Sequence, residues 1–139
     1  MKKKILVILV LLLVVTGCKK KEPIAPELEG IREKVVEMIG KTNDKHVVIK
    51  FEDANKYDNF YVYEIENQGY TKYQYILYPN KEKYNTAKSN IDQKKYSMNA
   101  YDDSYTIRLL INKYSSTSGN IKDEIINNYK NLKKYTVIY

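Results

Sequence analysis

A chain of 139 residues has room for one domain once a leader is set aside, because domains commonly run to about 100–200 residues. Its 43% hydrophobic and 29% charged content excludes the composition of a disordered chain. The formal charge of +7 falls to +4 without Lys2, Lys3 and Lys4 (21 basic against 17 acidic residues), too mild to call for a nucleic-acid partner.

The first 18 residues have three parts: a basic start, an unbroken apolar run of 11 residues at 5–15, and Thr16, Gly17 and Cys18. This is the layout of an export signal. A spanning helix needs about 20 apolar residues, so the run is too short for a permanent membrane segment. Val15, Thr16, Gly17 and Cys18 resemble the lipobox of bacterial lipoproteins, in which a branched aliphatic and two small residues precede a cysteine. The resemblance covers the leader only. It implies cleavage between Gly17 and Cys18, acylation of the Cys18 thiol, and a partner in the lipid bilayer. Cys18 is the chain's only cysteine, so an internal disulfide cannot account for it. Two acyl chains anchor stably where one binds marginally.

The abundance of Lys, Asn, Ile and Tyr, with Arg32 and Arg108 the only arginines, reflects AT-rich codons. The expected address is therefore the outer face of the cytoplasmic membrane in a low-GC Gram-positive bacterium. The 15 tyrosines carry no function on their count alone.

Residues 1–17 read as a signal peptide, 18–27 as a lipidated tether, and 28–139 as one domain. Pro23 and Pro26 favour an extended tether. Its length holds the domain within a few tens of ångströms of the bilayer, and Lys19, Lys20 and Lys21 would lie beside anionic headgroups at roughly 1 kcal/mol each. From 27 to 40, Leu28, Ile31, Val35, Met38 and Ile39 fall on one helical stripe, which Gly40 would close.

Val47, Ile49 and Phe51 alternate as a short strand. Segments 59–66 and 70–78 are rich in aromatic and branched residues and flank Asn67, Gln68 and Gly69, which predicts a hairpin with a three-residue loop. Pairing Glu66 with Tyr70 would place Tyr63 opposite Tyr73 and Tyr61 opposite Tyr75, with Ile65 and Leu77 on the same face. Beyond Pro79 and Asn80, a polar stretch to about Ser97 holds Tyr84, Ala87 and Ile91 at weak helical spacing. Tyr105, Ile107, Leu109 and Ile111 alternate within 104–112 as a clear strand. Residues 115–119 form a loop, Asn120 caps a helix with the stripe Ile121, Ile125, Tyr129 and Leu132, and Tyr135, Val137 and Tyr139 close with a strand.

This order predicts an α+β domain: an antiparallel sheet of about four to five strands with helices packed on one face. The early helix followed by a meander resembles a cystatin-like or NTF2-like layout, although no motif carries that resemblance.

Catalytic constellations are sparse. His46 is the only histidine and sits at a strand start. With Cys18 committed to lipid, no Cys/His dyad, no Cys- or His-ligated metal site and no cofactor site is expected. Gly40, Lys41 and Thr42 match the end of a P-loop but follow a helix instead of a strand, which reads as a helix stop. Asp53, Asn55 and Asp58 lack the spacing of a calcium loop and read as a turn. Tyr61, Tyr63, Tyr73 and Tyr75 are the candidate binding surface, since tyrosine offers a stacking face and a hydrogen-bonding tip. Their company with Ile65 and Leu77 favours a core under a helix.

The leading expectation is a non-enzymatic binding module at the cell envelope, whose partner is an envelope protein or a cell-wall component. Two alternatives stay open. One is a cell-wall or peptide hydrolase using paired carboxylates among Glu64, Glu66, Asp102 and Asp103. The other is a scaffold or immunity protein of an envelope complex.

Overall fold

The structure, a computed structural model, describes residues 20–139, so the signal peptide, the Gly17–Cys18 cleavage site and the Cys18 acylation site lie outside the described residues. The expected 27–40 helix is divided. A 3₁₀ turn spans Pro26–Leu28, Gly30 takes a left-handed φ of 76°, and α1 then runs over Ile31–Ile39. Glycine adopts that conformation without a Cβ clash, which lets the chain turn before the helix starts. Gly40, at φ 88°, ends it. Leu28, Val35 and Ile39 are buried as the stripe requires, while Met38 stays exposed.

The remaining elements are β1 (His46–Glu52), β2 (Asp58–Glu66), β3 (Gly69–Leu77), α2 (Lys81–Asn90), β4 (Met98–Tyr101), β5 (Thr106–Ser115), α3 (Ile121–Asn127) and β6 (Thr136–Val137). They build the α+β architecture around one antiparallel sheet of six strands, in the order β4-β5-β3-β2-β1-β6.

The helices divide between the two faces of this sheet, where one covered face was expected. Val35 and Ile39 of α1 pack on Val48, Phe60, Val62 and Leu77. On the other face, Ile121 and Ile125 of α3 pack on Val47, Ile49 and Tyr63. Farther along that second face, Tyr84 of α2 packs with Ile107 and Leu109. The reason lies in consecutive apolar residues. Val47, Val48 and Ile49 are all fully buried, and successive strand residues point to opposite faces, so both faces of β1 must be covered. Each such aliphatic contributes roughly 1.5–3 kcal/mol when removed from water.

β4 pairs only with residues 106–109 of β5. A bulge interrupts the β3–β5 register opposite Lys72 and Tyr73, and residues 112–115 of β5 beyond it are exposed. At the N-terminus, the stretch read as a tether lies on the domain from Lys21 onward. Lys21 pairs with Glu52 and Asp58 at 3.3 and 2.8 Å, and the Ala25 N–H donates to the Pro79 carbonyl at 2.8 Å. Lys21 is thereby engaged by carboxylates of its own domain, and Lys20 is exposed.

Candidate interaction face

The β2–β3 register decides where the candidate tyrosines go. The loop has two residues, Asn67 and Gln68, and Glu66 faces Gly69. Relative to the expected pairing this is a slip of one, and a slip of one moves every side chain of a strand to the other face. Tyr63 therefore faces Lys72, Val62 faces Tyr73, and Phe60 faces Tyr75. The four tyrosines do not form one cluster. Tyr61 and Tyr63 lie on the α3 face, while Tyr73 and Tyr75 lie with Phe60 and Val62 on the α1 face. Because β2 is buried on both faces, hydrophobic alternation could not select between the two registers. Gly69, where β3 begins, is itself a point of close approach to β5: a Cβ there would stand 2.1 Å from the Tyr114 carbonyl oxygen.

The separated pairs gain new company. On the α1 face, the Arg108 guanidinium stands 4.7 Å from the Tyr73 ring centre. On the α3 face, seven rings form a continuous series, Phe51, Tyr61, Tyr135, Tyr129, Tyr63, Tyr70 and Tyr114, with successive centres 4.5–6.4 Å apart. These spacings fall in the range where aromatic pairs attract. The Tyr63 and Tyr129 hydroxyls are hydrogen-bonded to each other. Burial, followed by that bond, holds the Tyr63 phenol well above its ordinary value of 10.

Into this series projects Lys72 from β3. Its Nζ lies 3.9 Å from the centre of the Tyr61 ring and 5.5 Å from that of Tyr63. The side chain is half-buried, and burial pushes its pKa down. Among the described residues no carboxylate forms an ion pair with it, in contrast to Lys21, Lys83, Lys88 and Lys122. An ammonium carries three donors, and ring faces satisfy its charge better than its N–H groups. Lys72 is thus a partly desolvated cation with donors left for an acceptor brought from outside. Beside it, the stacked rings of Tyr70 and Tyr114 border a depression that Glu66, Gly69 and Lys113 also line.

The other candidates resolve into local structure. His46 opens β1 with Nδ1 3.3 Å from Asn43 Oδ1. Asp53 Oδ1 accepts from the N–H groups of Asn55 and Tyr57, closing the turn expected there, and Asp58 pairs with Lys21. Gly40 accordingly stops α1, and Thr42 Oγ1 accepts from the Val48 N–H. Glu64 and Glu66 lie toward the β2–β3 turn. Asp102 and Asp103 follow β4 at the opposite end of the sheet, so the two carboxylate pairs are not brought together. Asp102 accepts from the Tyr84 hydroxyl and pairs with Lys88 at 3.0 Å, and these contacts, Tyr84 first, lower its pKa. Among the described residues no group of three or more His, Cys, Asp or Glu is placed to hold a metal ion.

Sequence reasoning overlooked Lys72. The available signal was its position between Tyr70 and Tyr73 in an alternating strand, and reading it required the register. No protein-family model matches the chain, and neither a curated protein nor a solved structure is significantly similar to it.

Proposed function

We propose that this chain is a lipid-anchored, extracytoplasmic protein of the cell envelope whose α+β domain binds an envelope protein or cell-wall component through the Lys72–tyrosine face. The anchor rests on Val15, Thr16, Gly17 and the lone Cys18 after a short apolar run. The binding role rests on one observation, the half-buried ammonium of Lys72 over the Tyr61 and Tyr63 rings without a carboxylate partner. A carboxylate or phosphate on the partner would supply the missing acceptors. The partly desolvated setting would strengthen that pairing.

Two experiments test the two halves. Cys18→Ser is expected to abolish lipid labelling and release the protein from the membrane; unchanged labelling refutes the anchor. Crosslinking in native membranes is expected to recover a partner with the wild-type protein and to lose it with Lys72→Gln. Equal recovery by both would remove Lys72 from the binding role. Degradation of cell-wall material by the purified protein, with no partner captured, would favour a hydrolase.

A further inference from the structure

The N-terminal segment is docked against one end of the sheet, which determines where an anchor preceding it must lie. Lys21 pairs with Glu52, where β1 finishes, and with Asp58, where β2 begins. Glu22 reaches Lys83 and Asn80 at the start of α2, and Ala25 bonds to Pro79 just past β3. Leu28 is 1% exposed and pins the segment from behind. Every one of these contacts belongs to the same end. The other end carries the turn at Asn67 and Gln68, the last residues of β5, and Asn120 at the start of α3.

Resting on the reading of Cys18 as the lipid anchor, we infer that the domain stands on the bilayer on its Glu52–Asp58 end and presents the 67–68 turn and the Tyr70–Tyr114 stack outward. Three residues of covalent reach separate Cys18 from Lys21, about 10 Å at most. β3 runs between the two ends over nine residues, about 26 Å from first to last. An anchor that near the first end holds that end at the membrane, and with the long axis of β3 upright the second end stands clear of it. Charge does not by itself set this orientation, because that end carries both signs: Lys20, Lys21, Lys56 and Lys83 stand among Glu22, Glu52, Asp53 and Asp58. The same orientation is therefore expected on neutral and on anionic bilayers. A partner engaging the outer end meets the domain about 25 Å above its footing, by the same strand rise.

The test uses the full lipoprotein in phosphatidylcholine vesicles that carry a headgroup nitroxide. Since the chain has one cysteine and acylation occupies it, Ala54→Cys or Gln68→Cys supplies a sole free thiol for a fluorophore. Both positions are exposed, one in the β1–β2 turn and one in the β2–β3 turn. Quenching is expected to be several-fold stronger at position 54. Equal quenching, or stronger quenching at 68, overturns the orientation. Flotation and lipid labelling of the same samples separate the two ideas. Protein that floats with its lipid but quenches equally loses only the orientation, whereas protein without lipid that stays off the vesicles takes the anchor and the orientation down together.

Discussion

Gly69 shows how a single residue sets the approach of two strands. It opens β3 opposite Ser115, and the Tyr114 carbonyl oxygen occupies the space a side chain would need. Gly69→Ala is therefore expected to push β5 away and cost about 1–3 kcal/mol or more, read as a lower urea midpoint. A midpoint equal to wild type would show that the backbone approach is not needed. Lys72 poses the opposite problem. Burial penalises its charge in the folded state and no protein carboxylate offsets this, so Lys72→Met, of similar length, is expected to leave the protein as stable or more stable. The same variant should lose the partner. Marked destabilisation would mean that the ammonium has a structural role, since a site kept for binding is one whose removal relaxes the fold.

At the scale of elements, α3 is short enough for its cap to matter. It has seven residues, and Asn120 Oδ1 accepts from the Asp123 N–H at 3.1 Å. Asn120→Ala is expected to cost about 1 kcal/mol, and Ile125→Ala, which empties a site 1% exposed, about 2–5 kcal/mol. Thermal unfolding of the two variants should preserve that ranking. The start of this helix was legible in the sequence because its cap and the Ile121–Ile125 pair are local signals, but its end was not: α3 stops at Asn127, and Leu132, expected on the stripe, is exposed. β5 was legible too, its Ile107 and Leu109 alternating with Thr106 and Arg108. β4 was not legible, because four residues with Asn99 and Ala100 exposed carry no pattern of their own and pair only because β5 is there. The β2–β3 hairpin was legible as a hairpin, but its register was not. Phe60, Tyr61, Val62 and Tyr63 are large side chains on both faces, so one slip costs little in pattern and the alternation does not distinguish the two registers. For the same reason the expected four-tyrosine cluster is split: Tyr61 and Tyr63 share a face, while Tyr70 and Lys72, not Tyr73 and Tyr75, join them.

Across the whole molecule, buried phenols link the fold to alkaline pH. Burial raises Tyr63, Tyr78 and Tyr84 above their ordinary value of 10, with Tyr78 pushed up to about 12. In the unfolded chain these phenols ionise near 10, whereas in the folded protein they stay neutral. The stability they contribute is thus fully present below about pH 10 and is lost as pH rises toward the folded values. For Tyr78 alone the displacement corresponds to about 3 kcal/mol. Lys72 acts with the opposite sign, because its lowered value makes the folded state gain as pH approaches 10.5, but it is one group against these three and six further tyrosines, Tyr57, Tyr61, Tyr70, Tyr75, Tyr105 and Tyr129, that burial also raises. Urea midpoints should therefore hold steady to about pH 10 and fall steeply by about pH 12. Tyrosinate absorbance should rise in two phases, exposed phenols first and the buried three only with unfolding. Tyr78 has no hydrogen bond through its hydroxyl among the described contacts, so Tyr78→Phe keeps the packing and removes the titration. Its midpoint at neutral pH should match wild type, while its decline at high pH should be shallower. A parallel decline in the two proteins would show that Tyr78 ionises as readily folded as unfolded, and that the second face of the sheet is wetter than its packing implies.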